Sequence, residues 1–430
     1  MRRLTTPKPC LSLATACAVA WLVCAAACGP LDPATRLTFS GSAVGAEAEV
    51  VRRQLDRFAA AHPGVRTELR VTPDAADQRH QLYVQWLNGH ASEPDVLQLD
   101  IIWTAEFAAA GWILPLDRFG PDVGDFFAAA IAADRWRGAL YAVPWFVDVG
   151  LLYWRTDLVD RPPRSLLELR EVAQRLVDAR TVPSGLLWQG ARYEGLVTVF
   201  LEHLSAFGGR MIDDEGRVVV DEPAAVQALT FMCDAVGPHG FVPSLALTSQ
   251  EEQTRLAFQN GQAAFMRNWP YAWALLQDRQ QSSVAGRVSI APFPAREGAP
   301  TAALGGAQLA VNAHTADPGL AWALVDFLTA PAQMLERARV AAQLPSRRSL
   351  YDRAELGEAL PMPAAPLREA LDAARPRPAT PVYSELSGLL QVRLHRALTG
   401  QQSPAAALAD AARDMRLVLA RAGLAPGDSR

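Results

Sequence analysis

Apolar residues recur along this chain with two different periods. Leu37-Thr38-Phe39 alternates as a strand does, and after a Gly/Ser/Ala turn Val51, Leu55 and Phe58 fall on one face of a helix predicted from Glu47 to His62, which Pro63-Gly64 ends. A strand near Thr67 to Val71, a helix from Asp77 to Asn88 stopped by Gly89, and an apolar strand from Val96 to Leu99 follow. The order strand, helix, strand, helix, strand predicts an α/β fold with a mainly parallel sheet covered by helices on both faces.

Between Tyr141 and Trp154 two apolar strand-like runs stand back to back across the turn-rich Pro144 to Asp148. Helices are then predicted at 165–180, 192–207, 223–236 and 250–260, the last stopped by Gly261, with short strands at 264–266 and 289–291. A strand at 308–311 follows Gly305-Gly306 and precedes helices at 318–329 and 332–341. Proline-rich runs at 361–366 and 375–381 break the tail into pieces before a last helix at 404–422. No internal repeat at a solenoid period is present.

The first 28 residues have a separate logic. Arg2, Arg3 and Lys8 precede an apolar run from Leu11 that ends in Ala25-Ala26-Ala27-Cys28, the layout of a secretory signal over residues 1–27. Cys28 stands where the bacterial lipobox places its acylated cysteine, and acyl chains worth about 0.8 kcal/mol per buried methylene would anchor the protein on a membrane. Residues 28–36, with Pro30 and Pro33, read as a tether from that anchor.

Removing the leader changes the charge. Its three basic residues, taken from 41, leave 38 against 45 acidic, a net charge of −7 in place of −4. That balance, without a basic face interleaved with aromatics, argues against nucleic acid. Cys10, Cys17, Cys24 and Cys28 lie in or beside the leader, so Cys233 alone remains in the mature body and makes no intramolecular disulfide. No second run reaches 18 apolar residues, and a chain of 430 residues predicts two or three domains. Lys8 is the only lysine against 40 arginines, a bias of base composition rather than of function.

Catalytic signatures are missing: no phosphate-binding glycine loop with lysine, no dinucleotide glycine pattern, no G-x-S-x-G and no paired histidines. No metal and no cofactor is expected. Ten tryptophans in the mature chain stand out, several beside carboxylates or prolines, as in Asp100-Ile101-Ile102-Trp103, Pro144-Trp145-Phe146-Val147-Asp148 and Asn268-Trp269-Pro270-Tyr271. A sugar offers apolar C–H faces and a rim of hydroxyls, which flat aromatics and carboxylates match. Core packing is the commoner use of any single tryptophan.

Four collinear blocks carry a resemblance: Pro94 to Asp117, Ala142 to Leu158, Arg192 to Gly209 and Phe258 to Leu276. In this order they resemble the bacterial extracellular solute-binding proteins of carbohydrate ABC transporters, most of all the trehalose/maltose-binding branch. The resemblance implies a two-lobed periplasmic-binding-protein fold with the ligand in a cleft between α/β lobes and hinge crossovers that let the lobes close. On that basis the first lobe is 37–142 with 303–345, the second 148–300 with 346–430, and the hinges 143–147 and 301–302.

Site residues follow from the matching blocks. The resemblance makes Asp100 a hydroxyl acceptor, with capping of the segment after Ile102 as its plain structural use, and Asp148 a second carboxylate, or else a pin for the hinge. Trp269 and Tyr271 resemble a stacking pair flanking Pro270; Gly306 would bring backbone N–H groups to a hydroxyl. Glu47, with Glu49 as its rival, resembles an acidic ligand residue, and Arg79 and Arg347 resemble sugar-binding arginines. Phe146 stands where relatives carry tyrosine, and Ala307 where they carry an aromatic.

The implied protein is a monomeric, lipid-anchored extracytoplasmic receptor, not an enzyme. Its implied ligand is an α-linked disaccharide or oligosaccharide and its partners are ABC permease subunits. Two rivals share these residues: a secreted glycoside hydrolase using two of Glu47, Asp100 and Asp148, and a sugar sensor feeding a membrane kinase.

Overall fold

The computed structural model of the chain describes residues 35–360 and 362–425. The segment read as a secretory signal, residues 1–27, and Cys28 lie outside the described residues. In chain order the strands are β1 (Thr35–Gly41), β2 (Val65–Val71), β3 (Val96–Asp100), β4 (Arg135–Trp136), β5 (Ala139–Leu140), β6 (Val143–Val149), β7 (Leu151–Arg155), β8 (Ser184–Leu187), β9 (Ala263–Asn268), β10 (Val288–Pro292), β11 (Ala302–Val311), β12 (Leu344–Pro345) and β13 (Ala374–Arg375).

They form two sheets and a small β4–β5 hairpin. The first sheet has the order β12-β6-β11-β3-β1-β2, with β13 also paired to β11, and the second has the order β10-β7-β9-β8. β1 runs parallel to β2 and β3, as the early strand–helix alternation predicts. β11, however, is antiparallel to both β3 and β6, so the sheet is mixed rather than mainly parallel. β11 arrives directly from the second sheet without a crossover helix to turn it around.

The expected break at Pro144 to Asp148 is instead strand β6, which pairs with β11 on one side and with β12 on the other. The β6–β11 register shifts between Ala307 and Gln308, a bulge that accommodates Pro144, which has no N–H to donate to a ladder. The chain passes to the second sheet at Gly150, the single residue between β6 and β7, not at 143–147. A Cβ on Gly150 would lie 1.8 Å from Glu202 Oε1, so only glycine fits that passage. The return from β10 to β11 occupies residues 293–301.

Most helices fall where the periodicity places them, including Ala76–Asn88, Glu194–Ala206 and Glu251–Gln259. The tail differs from its sequence reading, because the helix Ala354–Ala359 stands before the first proline run, Ala364–Ala373 begins inside it, and Tyr383–Leu398 follows the second. In the last of these Leu386, Leu390 and Leu394 recur every four residues and are buried against the helices Glu194–Ala206 and Pro404–Arg421. Among the described residues no helix is long and apolar enough to cross a membrane.

Candidate ligand cleft

A cleft of about 1240 Å³, counting the part open to solvent, runs between the two sheets and draws its walls from both. On one side, residue pairing lays out a row: Asp100, the last residue of β3, is opposite Ala307 of β11, and Ala307 is opposite Phe146 of β6. Gly305 is opposite Asp148 in the same way. Strand ends therefore set Asp100 and Asp148 into the cleft, with Phe146 and Ala307 as a smooth apolar surface between them. Gly306 has φ +128°, and a Cβ there would meet Phe146 O at 2.4 Å, so the row closes up only because glycine occupies that point.

The other side is built from two helix starts and a turn. Tyr193, Glu194 and Gly195 open the helix Glu194–Ala206, Gln250 to Gln253 open the helix Glu251–Gln259, and Trp269 and Tyr271 follow the end of β9. Tyr193 and Tyr271 donate their hydroxyls to Glu251 and Glu252, each at 2.7 Å, which holds both rings in place. Tyr153 donates to Trp269 O at 2.7 Å and so fixes the backbone beside the indole. A Cβ on Gly305 would lie 3.0 Å from Trp269 Cζ3, so the edge of the indole reaches across to the first sheet.

Of the eight residues singled out in the sequence, seven line this cleft: Glu47, Arg79, Asp100, Asp148, Trp269, Tyr271 and Gly306. Glu47 is buried and accepts from Ser42 Oγ, from Gln98 Nε2 at 3.0 Å and from Gln343 Nε2 at 3.2 Å; its rival Glu49 is exposed and pairs with Arg53. Burial raises the Glu47 pKa, and these donors oppose the rise. Arg79 donates to the carbonyls of Pro73 and Asp74 and lies over the Trp103 ring at 5.3 Å. Asp100 Oδ1 accepts from Ile102 N at 3.2 Å, and the side chain also lines the cleft.

Arg347 is the exception and a correction. Its Nε donates to Thr329 O at 2.9 Å and its guanidinium covers Phe126 at 4.2 Å, so the side chain is spent on packing away from the cleft. The cationic wall residue that the sequence reading missed is Arg377, from the proline-rich tail. Its Nη2 reaches Asp100 and its Nη1 reaches Glu194. Burial lowers the Arg377 pKa, but the charges of Asp100 and Glu194 more than reverse this, and the net shift is upward. Trp103 and Trp145, the other tryptophans of the three strings, are buried in the core.

Asp148 is the least compensated wall residue. Burial, then the nearby charges of Glu47 and Asp100, hold its carboxyl well above the usual range, while Arg267 opposes them weakly. Taken together the walls offer acceptors, guanidinium donors and a flat aromatic face, a set suited to an uncharged ligand with apolar faces and polar edges. Among the described residues no group of three His, Cys, Asp or Glu side chains could hold a metal ion.

Residues 43–335 match the family described as bacterial extracellular solute-binding protein. A Deinococcus radiodurans protein described as "Probable ABC transporter-binding protein" is 34% identical over 405 residues, 91% of this chain and 95% of that one. The maltose-bound MalE3 of T. maritima superposes with a TM-score of 0.85 at 39% identity, covering 90% of this chain and all of that one. The GacH receptor of Streptomyces glaucescens, solved unliganded and with acarbose, shares the fold at a TM-score of 0.81 and 24% identity, over 90% of this chain and 99% of that one. These neighbours share the two-lobed architecture with its cleft between sheets. The family match begins in the loop after β1 and ends inside the helix Pro331–Ala341, taking in the whole second sheet, β2, β3, β6 and β11 of the first and most of the cleft, and by it the chain belongs to the bacterial extracellular solute-binding proteins.

Proposed function

We propose that this protein is the non-enzymatic, extracytoplasmic receptor of an ABC importer for an α-linked glucose disaccharide of the trehalose or maltose kind. The carrying observation is that one cleft sets the carboxylates of Glu47, Asp100 and Asp148, on the first-sheet side, against the aromatic pair Trp269 and Tyr271, on the second-sheet side. Stacking on the indole engages the apolar face of a pyranose while the carboxylates and Arg79 take its hydroxyls. The likeness to a maltose-bound protein at 39% identity supports the same ligand class.

The two lobes are the bodies around the two sheets, and the passages at Gly150 and 293–301 are their hinges. A sugar that touches both walls favours the closed arrangement by the difference in its affinity for the closed and open forms, and permease subunits read the closed form. Phe146 and Ala307, which present no hydroxyl and no platform, leave one subsite wide. Acylation of Cys28 would keep the receptor beside its permease, and the protein acts as a monomer.

Calorimetric titration of the mature protein against mono-, di- and trisaccharides tests this reading. Tight binding of an α-glucoside disaccharide is expected; no heat and no tryptophan fluorescence change with trehalose, maltose, sucrose and longer glucans would sink it. Mass spectrometry of the N-terminal peptide from membranes tests the anchor, an unmodified Cys28 being the contrary result.

A further inference from the structure

Glu202 and Arg267 form an ion pair with both side chains 0% exposed, joined by Nε to Oε2 at 2.8 Å and Nη2 to Oε1 at 2.7 Å. Neither residue lines the cleft. Replacing a buried ion pair by apolar residues of similar volume is often neutral or stabilising, so stability alone does not account for the pair. Its neighbours point to another role.

Contacts run from the pair to the cleft and to both passages between the sheets. Arg267 is the last but one residue of β9 and Trp269 the first residue after it. The guanidinium carbon lies 3.9 Å from the centroid of the Trp269 ring, so a flat cation backs the indole that lines the cleft. Glu202 O accepts from Thr301 Oγ1 at 3.1 Å, at the end of the return passage, and Glu202 Oε1 also accepts from Ala303 N at 3.2 Å, where that passage enters β11. On the outward passage, Gly150 is packed so tightly on the pair that a Cβ would come within 1.8 Å of Glu202 Oε1 and 2.8 Å of Arg267 Nη2. Gln189 completes the mounting: its Oε1 accepts from Arg267 Nη1 at 3.1 Å and its Nε2 donates to Arg267 O at 3.1 Å.

We propose that Glu202 and Arg267 are positioning residues that set the pitch of the Trp269 ring and couple its engagement by ligand to the two passages between the lobes. The inference rests on the sugar-receptor reading for its ligand but not for its geometry. A ring pushed by a bound ligand bears on Arg267, Arg267 bears on Glu202, and Glu202 holds one passage where it enters β11 while filling the space beside the other. Stacking and lobe closure are then one event.

A double-mutant cycle tests it on the mature protein with maltose as probe. Glu202→Gln weakens binding roughly tenfold when Trp269 is present, because the guanidinium loses its bidentate hold. In the Trp269→Ala background the same change matters less than about twofold, since the pair acts through the ring. Equal losses in both backgrounds would overturn the proposal, as a purely structural role predicts them.

The apolar pair Glu202→Leu with Arg267→Met supplies a second test. It is expected to fold, to bind maltose more weakly, and to show in solution scattering a smaller contraction at saturating sugar; wild-type affinity and wild-type contraction would overturn the proposal. If it does not fold, the cycle decides. A wild-type protein that binds no sugar refutes the receptor reading alone. The pair is then read without ligand, from the near-ultraviolet circular dichroism band lost on Trp269→Phe: that band is expected to collapse in Glu202→Gln, and its persistence unchanged overturns the positioning role.

Discussion

Arg377 Nη2 stands 3.0 Å from Asp100 Oδ1, and through Nη1 the same guanidinium reaches Glu194 Oε1 at 2.8 Å. Asp100 ends β3 of the first sheet, Glu194 opens the helix that is tied to β9 of the second through Glu202 and Arg267, and Arg377 belongs to neither, coming from the tail before the helix Tyr383–Leu398. Glu194 is further held by Tyr383 Oη at 2.8 Å and by Ser387 Oγ. Asp77, also on the first-sheet side, accepts from Glu194 N at 3.3 Å. One buried arginine thus fastens the two walls of the cleft at the point where Asp100 meets the ligand space.

Arg377→Ala is expected to lower the melting temperature, since removing one partner of a buried ion network costs about 3 kcal/mol or more. It also frees Asp100 and weakens sugar binding. Arg377→Lys should not restore either property, because one ammonium cannot reproduce two forked bonds to two carboxylates. Thermal melts and calorimetry of the three proteins check this; a lysine variant with wild-type behaviour would reject it.

Trp269→Ala deletes the platform of the cleft. A loss of about 1–3 kcal/mol in sugar affinity is expected, with Trp269→Phe falling between. Calorimetry reads both, and unchanged affinity in the alanine variant would move the site elsewhere. Because the ring is backed by Arg267 and not by the core, the fold should survive the change.

Gly306→Ala tests backbone strain at the row of wall residues. With φ +128° and Phe146 O at 2.4 Å from the added carbon, the substitution is expected to cost about 2 kcal/mol or more. Gly64, at φ +87° with nothing within 4 Å, serves as the control, where alanine should cost about 1 kcal/mol. Equal shifts in denaturant midpoint for the two variants would contradict the packing argument.

Asp148 makes stability depend on pH. Its folded pKa lies well above the ordinary 3.8, through burial first and then the charges of Glu47 and Asp100. Between 3.8 and the raised value the folded protein binds more protons at this site than the unfolded chain, so the contribution of Asp148 to stability falls as pH rises through that window. Asp148→Asn lacks this dependence. Its melting temperature should exceed that of the wild type at neutral pH, the gap closing as pH falls toward 4; parallel curves across that range would falsify the assignment of the shift to Asp148.

How far the sequence could be read depended on the range of the interaction involved. Apolar periodicity is local, so the helices Ala76–Asn88 and Glu194–Ala206 and the strand Val96–Asp100 were legible within a residue or two. Prolines misled in both directions. Pro144 suggested a break but sits in a strand, because a bulge in that same strand, at Trp145, accommodates its missing N–H. The prolines of the tail masked the helix Tyr383–Leu398, whose four-residue leucine spacing was there to be counted.

The cleft shows the same division. Asp100, Asp148 and Trp269 were legible because each terminates or follows an apolar run in a block with family likeness, and strand ends point side chains into clefts. Glu194 stood in such a block and carried a usable signal, as the first residue of a helix beside Tyr193. Arg347 and Arg377 could not be told apart from their neighbours: both are arginines near prolines in an arginine-rich chain, and only packing sends one to Thr329 and Phe126 and the other between Asp100 and Glu194.

By itself, then, the sequence determined the elements, the α/β class and which polar residues end strands, since these depend on neighbours a few positions apart. The tertiary structure alone decided the antiparallel course of β11, the passage at Gly150, the arginine that crosses the cleft and the buried pair behind Trp269. Those join residues from 52 to 277 positions apart, from Gly150 with Glu202 to Arg377 with Asp100. Contacts of that range arise from where whole sheets and helices come to rest, and no local pattern records them.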